Sequence, residues 1–209
     1  MKIMRMSLFC FLAVLVGCSN MMSDQDILTT RSDSDSSTAT NMIANGDFSD
    51  GINGSNEIWS CYKGSSYNIA LEVLNTDTSF SGNYLHFCFS NYLVSDSKDS
   101  IQITKQVNDG SSYPLQSYSL TSGKTYTFSM KAKADQTGTI ELCLQSTSSS
   151  ATSISVTKDF DIDTTVQTFT YSYKATGGAT INFFFNLGGS IDNVAGTSFY
   201  VDDVSLISN

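Results

Sequence analysis

The run Lys124–Ala134 constrains this chain most. Tyr126, Phe128, Met130 and Ala132 share one face of an extended backbone, while Thr125, Thr127, Ser129, Lys131 and Lys133 share the other. A two-residue period cannot build an amphipathic helix, whose apolar face recurs about every 3.6 residues. The rhythm returns in Tyr84–Phe89, where Leu85, Phe87 and Phe89 oppose Tyr84, His86 and Cys88. In Ile101–Val107 it sets Ile101, Ile103 and Val107 against Gln102, Thr104 and Gln106. Thr139–Ser146, Thr168–Lys174 and Thr180–Leu187 repeat it, with Ile140, Leu142, Leu144, Phe169, Tyr171, Tyr173, Ile181, Phe183 and Phe185 inward. Asp109-Gly110, Ser122-Gly123, Thr137-Gly138 and Gly177-Gly178 punctuate these runs as turns. The pattern predicts an all-β fold of two antiparallel sheets packed face to face, a β-sandwich.

Two segments bracket that fold. Asn41–Gly51 (N-M-I-A-N-G-D-F-S-D-G) and Phe199–Ile207 (F-Y-V-D-D-V-S-L-I) each join a short apolar stretch to carboxylates. Apolar residues anchor such segments, whereas clustered aspartates repel unless they are solvated or joined by a cation. A hard cation such as calcium takes oxygens of this kind. The two ends of the domain are therefore expected to meet beside a structural metal. The other reading of Asp202 and Asp203 is a strand that simply ends in solvent.

Residues 1–17 read as a signal peptide. Lys2 and Arg5 precede the apolar run Ser7–Gly17, which is shorter than the roughly 20 residues a membrane span requires. Leu15-Val16-Gly17-Cys18 resembles the lipobox of bacterial lipoproteins, which implies cleavage before Cys18 and acylation of that cysteine. Residues 18–40 are rich in Ser, Thr and Asp and are expected to form a flexible tether. Asp24 and Asp26 are similar to the acidic export signals of Bacteroidetes surface lipoproteins, although a plain polar linker reads as well. The expected location is the cell envelope, lipid-anchored in the outer membrane and exposed at the cell surface. One domain, residues 41–209, remains to build a single core.

Composition closes several functions. A formal charge of −9 disfavours nucleic acid and polyanionic glycans. Lys131 and Lys133 form either a small basic patch or an ordinary solvated strand face. Cys10 leaves with the signal, so Cys61, Cys88 and Cys143 remain, an odd number that cannot be a disulfide framework. Cys88 and Cys143 are expected as small buried thiols. His86 is the only histidine, which argues against zinc hydrolases and against sites built on several imidazoles. Glycosidases of sandwich fold place two carboxyls across a cleft. The chain has three glutamates, Glu57, Glu72 and Glu141, and no E-x-D-x-x-E cluster. Asp159, Asp161 and Asp163 alternate as D-F-D-I-D and read as a solvated strand or turn edge. The chain is expected not to be an enzyme.

Three motifs carry a family resemblance. The opening N-M-I-A-N-G-D-F-S-D-G with Trp59, the central L-T-S-G-K-T-Y-T-F-S-M-K-A-K-A (Leu120–Ala134) and the closing F-Y-V-D-D-V-S-L come in this order along the chain. Together they resemble the jelly-roll carbohydrate-binding modules of families four, nine, sixteen and twenty-two. The resemblance implies a structural calcium ion near the chain ends. Asp202 takes the role of the family's closing aspartate, and Ser49 stands where the family has a carboxylate. Asp47 or Asp50 could substitute for it, with a carbonyl such as that of Gly46 completing the shell.

The resemblance also implies glycan binding on one sheet face, where rings stack on sugar C–H faces and amides reach hydroxyls. The outward candidates are Tyr84 and Phe184 as rings, with His86, Gln102, Gln145 and Asn182 as polar partners. Thr104, Gln106, Glu141 and Asn186 share the outward positions. Tyr62, Tyr67, Tyr92, Tyr113 and Tyr118 are read as loop residues that could rim a cleft, and Trp59 as packing. The expected function is capture of a poly- or oligosaccharide for partner hydrolases or importers. The alternative is a structural or protein-interaction sandwich that binds no glycan.

Overall fold

A computed structural model describes residues 39–53, 57–63, 69–89, 101–107, 114–147, 150, 152–187 and 196–209. The signal, Cys18, the tether up to residue 38, Tyr67, Tyr92, Tyr113 and Asp109-Gly110 fall outside them. The described strands are β1 (Glu57–Lys63), β2 (Ile69–Leu74), β3 (Tyr84–Phe89), β4 (Ile101–Val107), β5 (Tyr118–Leu120) and β6 (Thr125–Ala134). They continue as β7 (Gly138–Ser146), β8 (Ser155–Ile162), β9 (Gln167–Lys174), β10 (Ala179–Asn186) and β11 (Ser198–Ser208). Sheet I has the order β2-β3-β11-β6-β9, and sheet II the order β1-β4-β10-β7-β8 with β5 added beside β10.

Strand β6 behaves as its sequence demands, with burial alternating residue by residue along its length. The inner faces of the two sheets meet in one hydrophobic core. Phe87, Phe128, Met130 and Phe199 come from sheet I, while Trp59, Ile103, Leu142, Phe183 and Phe185 come from sheet II. Phe128 packs edge-on against Phe185 at 5.9 Å and tilted against Phe183 at 6.3 Å, so rings of both sheets interlock. Burying one such side chain stabilises the fold by about 1.5–3 kcal/mol.

Strands β1, β2, β5 and β8 lie outside the six alternating runs named above, although β2 and β8 also turn alternate residues inward. In β8 only Phe160 and Ile162 are buried, because this edge strand has a partner on one side alone. Tyr118 corrects an expectation: it does not rim a loop but is buried in β5, tilted against Phe183 at 5.8 Å. β4 holds a second departure. Lys105 occupies an inward position and is completely buried, between the inward Ile103 and Val107.

The two ends of the domain do meet. β11 is irregular between Asp202 and Ser205, and beyond that point its pairing with β3 has ceased. The opening segment takes the vacated place: Met42 N–H donates to Leu206 O at 2.8 Å, and Val204 N–H to Gly46 O at 2.9 Å. Asn41 staples the same join, donating to Val204 O and accepting from Leu206 N–H. Gly46 is required there, since a Cβ would sit 1.9 Å from the Val204 carbonyl oxygen.

Candidate functional site

The outer face of sheet II gathers most of the expected ligand residues. Strand register sets Gln102 opposite Asn186, Asn186 opposite Glu141, and Glu141 opposite Asp159. Gln102 Nε2 donates to Asn186 Oδ1 at 3.0 Å, and Asn186 Nδ2 donates to Glu141 Oε1 at 2.9 Å. A carboxylate only accepts, so Glu141 fixes which way Asn186 turns, and Asn186 in turn fixes Gln102. The result is a polarised amide row running across three strands.

Beside that row lies Phe184, opposite Cys143 on β7. Next along β10, Asn182 stands opposite Gln145. Asn182 Nδ2 donates to Gln116 O at 2.9 Å and to Ser117 Oγ at 3.1 Å, so it pins the segment leading into β5. Gln145 is exposed and Gln102 half-buried. Phe184 is 7% exposed, so little of its ring is open. Asp159 and Asp161 lie exposed on β8, and Asp163 folds back to accept from Thr165 N–H at 2.8 Å. The hydrogen bonds from Thr165 hold the Asp163 carboxyl below its ordinary range. Cys61, Cys88 and Cys143 form no disulfide with one another, and all three are part-exposed rather than fully buried.

Tyr84 and His86 do not join this face; they lie on the outer face of sheet I. Tyr84 is 2% exposed beneath Phe80, with ring centroids 4.8 Å apart, and its hydroxyl meets Thr76 Oγ1 at 3.1 Å. His86 stacks on Tyr200 at 5.0 Å and bonds Glu72 Oε1 through Nδ1 at 2.9 Å. Lys133 lies over Tyr200 and pairs with Asp77. That pairing, helped by hydrogen bonds from Ser79, holds the Asp77 carboxyl down at about 2. Lys131 pairs with Asp203 at 2.6 Å. Each lysine thus has its own carboxylate, and the two make no basic patch.

The seam between the chain ends is a second candidate. A cavity of about 420 Å³ is lined by Asp47, Ser49, Ser81, Gly82, Asn83, Asp202 and Asp203. Asp202 is 2% exposed, and the one hydrogen bond that its carboxylate accepts among the described residues comes from Asp203 N–H at 2.7 Å. Burial, reinforced by the negative charges of Asp203 and Asp47, pushes its carboxyl up to about 6. Ser49 donates both N–H and Oγ–H to Asp47 Oδ1. Asp50 uses its N–H on Asn45 Oδ1, and its side chain does not line the cavity. The Gly46 carbonyl already accepts from Val204.

Asn45, Phe48 and Asp203 have φ of 47°, 54° and 50°, and no other described non-glycine residue is left-handed. All three lie at this seam, where the surroundings must hold a conformation that L-residues seldom adopt. No group of three or more His, Cys, Asp or Glu side chains that could hold a metal forms among the described residues. A nearly buried carboxylate, opening on a cavity of hydroxyl, amide and carboxylate oxygens, still suits a hard cation.

Sequence reasoning missed Asn83, whose Nδ2 donates to Phe48 O at 3.0 Å and walls the cavity. Nothing in the local pattern around Asn83 signals that contact.

No protein-family model and no curated protein matches the chain. Solved structures do. One, "CBM4 structure and function", aligns with a TM-score of 0.58 at 22% identity, over 79% of this chain and 98% of its own. "Family 16 Carbohydrate Binding Module-2" aligns at 0.48 and 14% identity, over 79% and 99%. The N-terminal cellulose-binding domain from Cellulomonas fimi beta-1,4-glucanase C gives 0.48 and 15%, over 72% and 88%. The first of these carries the conclusion: this chain has the jelly-roll sandwich fold of carbohydrate-binding modules.

Proposed function

We propose that this protein is a non-catalytic glycan-binding domain, presented at the cell surface by a lipid on Cys18 and capturing polysaccharide for partner hydrolases or importers. The observation that carries the reading is the polarised row Gln102–Asn186–Glu141 running beside Phe184. Asn186 and Glu141 are buried, so the row would meet a hydroxyl-rich ligand through the half-buried Gln102, whose side chain they hold in one direction, which lowers the ordering cost of binding.

The test is affinity electrophoresis of the full chain against a panel of soluble polysaccharides, with Asn186→Ala and Phe184→Ala alongside. Retardation by one glycan class, weakened about tenfold or more in Asn186→Ala while the fold persists, supports the reading. Assaying the same panel for released reducing ends tests the absence of catalysis. A second reading, a protein-interaction module, draws on the near-burial of Phe184, which leaves little ring for stacking. A folded protein that binds no glycan favours it.

The seam is proposed to hold a structural calcium ion. Asp202 and Asp47 would hold it, with Ser49 and Asn83 as neutral oxygens, and the ion would supply the positive charge that joins the two ends of the domain.

A further inference from the structure

The seam contains a cation of its own. Lys131 lies on β6, outside the ring of oxygens that face Asp202, yet its Nζ reaches Asp203 Oδ2 at 2.6 Å. Asp47 and Asp203 are shared walls: they line the cavity of Asp202 and also a neighbouring one of about 520 Å³, which Lys131 lines. Lys131 therefore stands on one side of a carboxylate wall and the proposed calcium position on the other.

The backbone enforces this arrangement. The irregularity of β11 buries Asp202 and leaves its neighbour Asp203 half-exposed, in a left-handed conformation and bound to the lysine. Three carboxylates in so small a space would repel one another strongly without a positive charge. The ammonium of Lys131 supplies one, and its hydrogen bond to Asp203, with the fields of Asp203 and Asp202 behind it, raises its own pKa.

We propose that Lys131 is the built-in counter-ion of the seam, neutralising Asp203 when no divalent cation is bound and competing with one that is. The inference rests on the calcium site proposed above and is independent of glycan binding. It makes the cation a modulator of the domain rather than a requirement for folding. Removing the lysine charge should turn a weak cation site into a strong one, because a neighbouring unit charge costs an incoming dication more than it costs any other occupant.

The test is calorimetric titration of the full chain with calcium, comparing wild type, Lys131→Met and Lys131→Arg. Lys131→Met keeps the aliphatic stem and should bind calcium about tenfold more tightly or better. It should also show a larger calcium-induced rise in Tm, from a lower starting value in chelator. Lys131→Arg keeps the charge and should behave as wild type. A purely structural lysine would lower Tm without sharpening the calcium response.

Should Lys131→Met fail to fold, the wild type carries the test. Acetylation of Lys131, read by peptide mass spectrometry, should quicken when calcium draws Asp203 away. Equal calcium affinity in Lys131→Met and wild type overturns the proposal. So does labelling of Lys131 that calcium does not change. Absence of calcium binding in every variant overturns it together with the calcium site, and leaves the glycan reading to its own assay.

Discussion

Lys105 and Trp59 face each other across β4 and β1, and both donate to one turn: Lys105 Nζ to the Ala44 carbonyl, Trp59 Nε1 to the Asn45 carbonyl at 3.1 Å. The ammonium lies 5.3 Å from the centre of the indole. Phe48, from the same turn, packs on that indole at 5.0 Å. Two residues of sheet II thus bolt the opening segment, and with it Asp47, against the core. The indole face attracts the ammonium, and the carbonyl satisfies one of its protons.

Lys105→Met should lower stability by about 1–3 kcal/mol, since it removes a charged hydrogen bond to the Ala44 carbonyl and the ammonium's contact with the Trp59 ring. For a domain of this size that is a fall in Tm of roughly 3–10 °C. Thermal unfolding with and without calcium checks it. A Tm equal to that of wild type would show that the carbonyl finds another partner at no cost.

Tyr84→Ala should destabilise by about 3 kcal/mol or more, because a buried aromatic leaves a cavity under Phe80. Glycan affinity should not move, since Tyr84 belongs to the other sheet. Tyr84→Phe should lose only the Thr76 contact, about 1 kcal/mol. Denaturant unfolding and affinity electrophoresis on both variants separate the two effects. A Tyr84→Phe variant that folds fully yet loses glycan binding would return this tyrosine to the ligand site.

Asp202 makes stability depend on pH in a definite direction. Its folded pKa, about 6, lies above the ordinary value of 3.8, so protonation favours the folded state. The stabilising contribution is complete below pH 3.8 and is lost as pH rises through about 6. In chelator at pH 7, Asp202→Asn should therefore be more stable than wild type, by at most about 2–3 kcal/mol. The gap should close as pH falls toward about 4. Calcium should reverse the order, because it needs the carboxylate. Tm measured from pH 4 to pH 8, with and without calcium, decides the matter. An Asp202→Asn variant less stable than wild type in chelator throughout would overturn this sign.

Asp77 runs the opposite way. Its carboxyl is held at about 2, so the Lys133 pairing contributes above the ordinary pKa of 3.8 and fades as pH falls through about 2. Asp77→Asn should therefore cost stability at pH 7 and progressively less in strong acid.

Much of the fold was legible before any coordinates. β3, β4, β6, β7, β9 and β10 fall where two-residue alternation placed them, to within a residue at each end. All but β9 have a partner strand on each side and one face in the core, and burial on one face writes itself into sequence; β9 is an edge strand that keeps the alternation with only partial burial. β8 is an edge strand that fully buries only Phe160 and Ile162; its D-F-D-I-D alternation is present in the sequence, but three carboxylates fit a solvated turn edge equally well.

The proposed ligand face was legible only by halves. Phe184, Asn182, Gln102 and Gln145 fall together on sheet II, whereas Tyr84 and His86, equally outward by alternation, fall on sheet I. Alternation says that a residue points away from the core. It cannot say which of the two sheets carries its strand.

The sequence by itself determined six of the eleven described strands, the inward face of each of those and the acidic motifs at both ends, because these follow from local periodicity and residue chemistry. Tertiary structure alone decided that β3 joins β11 while β4 joins β10, and so parted Tyr84 from Phe184. It alone aimed Lys105 at Ala44, and Lys131 at Asp203. Each of these is a contact between segments far apart in the chain, and it exists only once two sheets have closed on one core.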